Sequence, residues 1–292
     1  MRGQMNFMKR VVRGMTLRLE NDPPQLSYLD TFQSVGGKVW PASELMVNYL
    51  AETGLVTGKR VIELGSGCGY VGIACAALGA SHVTLTDRTI TERNMVHDSE
   101  GMLMEEVMPP NRLLLDICQR NIHENIESYP LSLLNVHELE WGDENMRHID
   151  AIHAANLDYD IVIGSDVTYH AELSDSLFWT VSTLLKHVEK ERIKKVVTAG
   201  ATGVQTCPDT KVRFITAHQH RMDSATALTL STAKKFGLDC TILATSVTNA
   251  SFKVNRPKTD TLYNSVSNYS TNENTPKNDE DPGKYVLWQF TL

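Results

Sequence analysis

Paired cysteines are missing from this sequence. Its five cysteines (Cys68, Cys75, Cys118, Cys207 and Cys240) are odd in number and widely spread, with no Cys-x-x-Cys among them. That argues against a zinc ribbon or a disulfide framework and points to a reducing compartment. Long apolar runs are also missing: no stretch approaches the length of a membrane span, and no signal-peptide core appears. The expected location is the cytoplasm, with the nucleus next. Arg2, Lys9, Arg10, Arg13 and Arg18 open the chain without an acid among them, as in a mitochondrial presequence, but serine is absent there and mitochondria come third. Basic charge is not in excess. With 28 Lys+Arg against 35 Asp+Glu the net charge is −7, which argues against a protein built around a nucleic-acid backbone. An acidic surface suits a basic substrate such as a lysine-containing partner, and it equally suits plain solubility. No serine stands in a Gly-x-Ser-x-Gly elbow, so a Ser-His-Asp hydrolase is not indicated. His218-Gln219-His220 offers two imidazoles without a third ligand nearby, and no metal is expected.

What the chain does have is ordinary globular composition, 41% hydrophobic and 22% charged over 292 residues, enough for one large domain with insertions. Its most informative stretch is Val61-Ile62-Glu63-Leu64-Gly65-Ser66-Gly67-Cys68-Gly69. An apolar run closes on an acid and breaks into three alternating glycines. A helix-compatible run from Tyr70 to Leu78 follows, then His82-Val83-Thr84-Leu85-Thr86-Asp87. This is strand, glycine turn, helix and second strand, with a carboxylate where the second strand ends. A nucleoside cofactor needs that arrangement: glycines let backbone approach the ligand at a helix N-terminus, and the acid can accept hydrogen bonds from two ribose hydroxyls. A dinucleotide fingerprint would require glycine at position 70, where Tyr70 stands, so the Gly-x-Gly-x-Gly spacing does not call for a pyrophosphate.

The rest of the chain reads as alternating strands and helices. An N-terminal arm covers residues 1–35, with Val11-Val12 and Leu17-x-Leu19 packing as an edge strand before the turn Asn21-Asp22-Pro23-Pro24. Pro41 suits the first turn of a helix running to about Glu52. Residues 88–110, with Met95, Met102, Met104 and Met108, are too long for a compact crossover and read as an insertion. Helical spacing marks Leu113 to Ile126, Leu173 to Val188 and about Met222 to Phe236. Strands are expected at Leu131–Leu139, within Tyr159–Val167, at Lys195–Ala199, at Cys240–Ala244 and at Tyr285–Phe290. Asn255 to Gly283 is rich in Asn, Thr, Ser, Lys, Asp and Pro and reads as a disordered hairpin insertion. The alternation ends in two strands joined without a helix, giving an open α/β sheet whose last two strands pair antiparallel.

Several groups fall together at strand ends, where doubly wound sheets bind ligands. Trp40-Pro41-Ala42 precedes the first strand, Asp87-Arg88 ends the second, Trp141-Gly142 ends the third, and Asp166-Val167-Thr168-Tyr169 follows the fourth. On these marks, with Val39 before Trp40 and Glu140 before Trp141, the sequence resembles a seven-stranded S-adenosylmethionine-dependent methyltransferase of the family-16 group, mainly protein-lysine methyltransferases. The resemblance covers about residues 36–200. It implies a methyltransferase domain over 36–292 with a Rossmann-like doubly wound sheet of seven strands in the order 3-2-1-4-5-7-6. That sheet is mostly parallel, with the last strand antiparallel and helices on both faces.

The resemblance also assigns roles. Gly65, Ser66 and Gly67, in the loop introduced by Glu63, approach the methionine part of S-adenosyl-L-methionine. Asp87 holds the ribose, Trp141 lies against adenine, Trp40 lines the sulfonium end, and the backbone at Ser165 borders the same pocket. Asp166 and Tyr169 face the incoming substrate nitrogen. The implied partner is a protein substrate carrying a lysine, with the enzyme acting as a monomer and with no membrane or nucleic acid involved. The chain departs from the family pattern at 88–110 and 255–283. Competing readings are a methyltransferase for a small molecule or nucleic acid, a catalytically silent binding module and a nicotinamide dehydrogenase. The lack of an Asn-Pro-Pro-Tyr-type clamp counts against base methylation.

Overall fold

The computed structural model describes residues 7–20, 35–89, 93–97, 103–107, 112–126, 133–155, 159–168, 171–198, 212–219, 223–248, 251–254 and 285–292. The chain opens with a hairpin of β1 (Phe7–Val12) and β2 (Met15–Glu20), followed by α1 (Pro41–Thr53), β3 (Arg60–Leu64), α2 (Tyr70–Ala77) and β4 (His82–Asp87). A second hairpin, β5 (Arg93–His97) and β6 (Leu103–Val107), precedes α3 (Leu113–Ile126), β7 (Leu133–Glu138), α4 (Met146–Ala154) and β8 (Ile161–Ser165). Then come α5 (Ser174–Thr198), β9 (Arg213–Gln219), α6 (Asp223–Lys235), β10 (Asp239–Thr248), β11 (Ser251–Val254) and β12 (Tyr285–Thr291).

The main sheet runs β7-β4-β3-β8-β9-β12-β10-β11. β7, β4, β3, β8 and β9 are parallel, and β12 runs antiparallel between β9 and β10. Leaving β11 aside, this is the expected order 3-2-1-4-5-7-6 with the last strand antiparallel. β11 adds an eighth strand that pairs antiparallel with the end of β10.

Alternation along the strands feeds two cores. Val61, Val83, Leu85, Ile163 and Ile215 pack with the apolar faces of α1, α2 and α3, where Met46, Leu50, Ile73 and Ile117 are fully buried. Ile62, Leu64, Val162 and Phe214 face the other way, against Ile149 of α4, Phe178 and Leu184 of α5 and Ala233 of α6. Helices therefore cover both faces, as buried parallel strands require. The helix ends follow local rules. Pro41 occupies the first turn of α1, and Gly54 closes it at φ 64° with its N–H on the Leu50 carbonyl.

Two sequence expectations change. The strand expected at Lys195–Ala199 is not one: residues 195–198 are the last turn of α5, and Ala199 lies outside the described residues. The i,i+3 pairs Glu189–Arg192 and Glu191–Lys194 favour the helix, and a weak β-branched preference at Val196-Val197 does not override it. The fifth strand is β9, in which Phe214, Ile215, Thr216, Ala217 and His218 are all buried. Its polar Thr216 and His218 hide an otherwise central strand. The N-terminal apolar residues form their own hairpin and do not join the edge of the main sheet. Arg13 (φ 47°) and Gly14 (φ 81°) make its two-residue turn, with positive φ at both positions as a type I′ turn demands. Val12, Leu17 and Leu19 of this hairpin lie in the first core.

The 88–110 region contains β5 and β6, paired with each other and, among the described residues, apart from the main sheet. Residues 255–283 lie outside the described residues. Among the described residues, no helix is long and apolar enough to cross a membrane.

Phe290 in β12 is the centre of the second core. Its ring meets Phe178 edge-on at 5.2 Å, Phe214 at 5.9 Å and Trp288 at 6.2 Å. Phe290→Ala should therefore cost about 3–5 kcal/mol of stability. Urea denaturation measures this, and a loss below about 1 kcal/mol would mean the cluster closes over the gap.

Candidate functional site

The carboxyl ends of β3, β4 and β8, together with the corner after β7, open onto a cleft of about 1200 Å³ counting its mouth. Nine of the ten residues singled out from sequence line it: Trp40, Glu63, Gly65, Ser66, Gly67, Asp87, Trp141, Ser165 and Asp166. Tyr169 lies outside the described residues.

The floor is the loop between β3 and α2. Gly65, Gly67 and Gly69 all have positive φ (65°, 54° and 84°), a region closed to most side chains. Gly67 is the tightest, because a Cβ there would stand 2.3 Å from the Gly36 carbonyl oxygen. At Gly65 an added Cβ would meet Val167 at 3.0 Å and the Trp141 ring at 3.3 Å. The loop is tied to β4: the Ser66 N–H donates to the Thr86 carbonyl at 2.9 Å, and the Gly67 N–H donates to Oδ2 of Asp87 at 2.7 Å. Oδ1 of Asp87 accepts the Arg88 N–H at 2.8 Å. Both carboxylate oxygens keep a further lone pair for hydroxyls of a ligand. Burial pushes the Asp87 carboxyl up, and the two backbone N–H groups oppose that shift.

Glu63 is turned inward. Its Oε2 accepts the Gly72 N–H at 2.8 Å, bracing the end of β3 against α2. Burial, only partly offset by that bond and reinforced by the nearby Asp87 charge, raises its pKa to about 8. Its wall position is thus compatible with a ligand, while Oε2 also serves the scaffold.

The Trp141 corner is held from several sides. The Leu139 N–H donates to the Asp87 carbonyl at 2.8 Å, the Glu140 N–H to Nδ1 of His148 at 3.2 Å, and the Gly142 N–H to Oγ1 of Thr180 at 3.1 Å. At the next strand, the Ser165 hydroxyl meets the Ser43 hydroxyl of α1 at 2.9 Å. Asp166 is buried and takes a left-handed backbone (φ 52°), which is rare for a residue with a side chain. Its N–H donates to the Ala217 carbonyl at 2.8 Å. Two residues on, the Thr168 hydroxyl bonds Nδ1 of His218 at 2.6 Å, and the His218 ring stacks on Trp288 at 4.7 Å. His218, weighed from sequence as a metal ligand, is thus a buried residue of β9 that supports the Asp166 turn. His220 lies outside the described residues.

Sequence reading placed Arg88 at this edge but missed Lys38, Ser43 and Glu144 in the cleft wall. It also missed Asn121, whose side-chain amide donates to the Cys68 carbonyl inside the glycine loop at 2.8 Å. One signal for Asn121 existed: Asn121 and Asn125 are spaced i,i+4 along a helix with apolar neighbours, which sets two amides on one face. Besides the protonated Glu63, the wall carries four acids (Asp87, Glu140, Glu144 and Asp166) against Lys38 and Arg88, so it favours a cationic visitor.

A mostly parallel sheet with this Gly-x-Gly-x-Gly loop, a carboxylate at the end of the next strand and the 3-2-1-4-5-7-6 order defines a Rossmann-like doubly wound fold. Residues 21–113 match the family model described as lysine methyltransferase. The chain is 34% identical over 152 residues to protein N-lysine methyltransferase METTL21A of Danio rerio, a stretch covering 51% of this chain and 56% of the relative. It is 32% identical over 158 residues to protein-lysine methyltransferase METTL21E of Bos taurus (52% and 44% covered). It is 27% identical over 161 residues to protein-lysine N-methyltransferase EFM3 of Chaetomium thermophilum (54% and 41% covered). The chain spans about half the length of the curated relatives it matches.

Glu63 gives a test of the site's electrostatics. Folding raises its pKa from 4.5 to about 8, so between those values the folded state holds a proton that the unfolded chain has released. Stability must fall as pH rises through that window. Glu63→Gln keeps an acceptor for Gly72 but cannot ionise, and it should remove more than about 1 kcal/mol of that decline. Urea denaturation at pH 5 and pH 8 measures it, and an unchanged decline would show that Glu63 is ionised throughout.

Proposed function

We propose that this chain is an S-adenosylmethionine-dependent protein-lysine N-methyltransferase. The observation that carries the reading is the meeting, in one acidic cleft, of a side-chain-free glycine cradle tied to Asp87 and of Asp166 held on the neighbouring turn. The lysine methyltransferase family match and the similarity to protein-lysine methyltransferases support the same chemistry.

When bound, S-adenosylmethionine supplies a methyl group on a sulfonium, open to in-line displacement by a nucleophile. The chain's part is positioning, a contribution of several kcal/mol in such reactions. In this reading Asp87 accepts hydrogen bonds from the ribose hydroxyls, and Gly65, Ser66 and Gly67 let the backbone approach the methionine moiety. Trp141 lies against adenine, Trp40 lines the sulfonium end, and Ser165 with its partner Ser43 closes the pocket wall. Glu63 contributes as the brace behind that wall. A lysine amine, with an ordinary pKa of about 10.4, must lose its proton before it attacks. The Asp166 carboxylate attracts and orients the amine, while Tyr169 and Trp40 exclude water so that the neutral form is less disfavoured.

The acidic wall favours a lysine-bearing protein over nucleic acid, with the enzyme acting as a monomer. Free thiols at Cys68, Cys75, Cys118 and Cys240 support a reducing compartment such as the cytoplasm. Radiolabelled methyl transfer into a cell extract, followed by protease and nuclease digestion, tests the reading. Label removed by protease alone agrees with it. Label removed by nuclease, or left in small molecules, overturns the substrate class, and no transfer overturns the activity.

Two substitutions divide the site. Asp87→Ala should weaken binding of S-adenosylhomocysteine by about 2 kcal/mol or more, the scale of charge-assisted hydrogen bonds, as read by calorimetry. Asp166→Asn should lower turnover about a hundredfold with near-normal cofactor affinity. Lost cofactor binding with normal turnover at saturation would put Asp166 on the cofactor side of the reacting methyl group.

A further inference from the structure

The chemistry above makes no use of the N-terminal hairpin, yet polar groups of both its strands run to the elements that frame the glycine loop. From β1, the Arg10 guanidinium pairs with the Glu44 carboxylate of α1. The other oxygen of Glu44 accepts the Tyr70 hydroxyl at 2.8 Å, and Tyr70 is the first residue of α2, directly after Gly69. From β2, the Glu20 N–H donates to Oδ1 of Asn121 at 2.6 Å. Nδ2 of Asn121 donates back to the Glu20 carbonyl at 3.1 Å and onward to the Cys68 carbonyl at 2.8 Å. Both N–H bonds of this amide are thus committed, one to the hairpin and one to the loop. Asn121 is fully buried, and Glu20 is anchored further by Arg120 at 2.9 Å.

Cys68 stands between Gly67 and Gly69, two of the three glycines whose left-handed backbone shapes the loop. Removing the Asn121 amide leaves the Cys68 carbonyl buried without that donor, and the loop must shift to recover one. Such a shift draws on the same backbone that sets the Gly67 N–H on Asp87. Asn125, one turn further along α3, is the natural control. It holds the Arg18 N–H at 3.0 Å and the Arg18 carbonyl at 2.7 Å, and it donates to the Asn121 carbonyl at 2.7 Å. Its side-chain bonds therefore secure the hairpin to α3, whereas those of Asn121 also reach the loop.

We propose that the hairpin Phe7–Glu20 is a brace for the cofactor loop, and that Asn121 is the positioning residue through which hairpin order and cofactor binding are coupled. The inference rests on the cleft being the S-adenosylmethionine site. Coupling of this kind is reciprocal: a ligand that fixes the loop also tightens the hairpin, and a loosened hairpin weakens the ligand.

Two measurements on the full chain test it. In the first, hydrogen exchange of the unsubstituted protein is followed with and without saturating S-adenosylhomocysteine. The amides of β1 and β2 should exchange several-fold more slowly with the ligand, although the hairpin does not line the cleft. In the second, calorimetry compares Asn121→Ala with Asn125→Ala. Asn121→Ala should raise the dissociation constant about tenfold, and Asn125→Ala less than about twofold, even where the two lower the melting temperature equally. If the unsubstituted protein fails to bind S-adenosylhomocysteine, the functional reading falls. If it binds but leaves hairpin exchange unchanged, the brace falls. Equal affinity losses in the two variants also overturn it, because the effect would then follow hairpin stability and not the bond to Cys68. Should Asn121→Ala fail to fold, the exchange measurement on the unsubstituted protein decides alone.

Discussion

The site depends on one contact, the Gly67 N–H on the Asp87 carboxylate at 2.7 Å. It forms only because position 67 carries no side chain: the Gly36 carbonyl fills the space where a Cβ would stand. This approach sets the distance between the ends of β3 and β4. It also turns one face of Asp87 inward, leaving the other for a ligand. The remaining contacts of the loop, from Ser66 to Thr86 and from Gly72 to Glu63, keep that geometry from relaxing. The cleft is thus made largely by backbone, with side chains placed at its rim.

Asp166 presents the opposite case, a side chain whose position depends on an unfavourable backbone. Left-handed φ at a non-glycine residue persists only where the surroundings over-determine it. Here strand β9 supplies two anchors, the Ala217 carbonyl to the Asp166 N–H and the His218 ring to the Thr168 hydroxyl. His218 is held in turn by Trp288 of β12. The antiparallel end of the sheet therefore reaches the Asp166 side of the cleft through two stacked rings and one hydroxyl.

What could be read from the sequence was what is encoded locally. The glycine loop, Asp87, the helix beginning at Pro41 and the Trp141 corner each announce themselves within a few residues, because turn geometry and burial period are short-range properties. Strand β9 was obscured because Thr216 and His218 interrupt its apolar run, and their partners lie in other strands. Glu63 reads as a cofactor residue from its place in the motif, and it also braces the Gly72 N–H through Oε2, a bond that only the packed helix α2 reveals. Asn121 was passed over because its meaning comes from Glu20 and Cys68, which lie 101 and 53 residues away in sequence. Long-range polar bonds of this kind leave little trace in composition or periodicity.

The parallel strands impose a division of labour on the two edges of the sheet. The chain leaves β4 at Asp87, on the edge that bears the cleft, to enter the 88–110 insertion. It returns to the sheet after residues 255–284 at Tyr285, opposite Gln219 at the carboxyl end of β9, and so on the same edge. Both segments thus join the sheet at the edge that bears the cleft. A connection at such an edge can lengthen at modest entropic cost, because the ladder beneath it is closed by other segments. The rim and the floor of the cleft are therefore built by different parts of the chain.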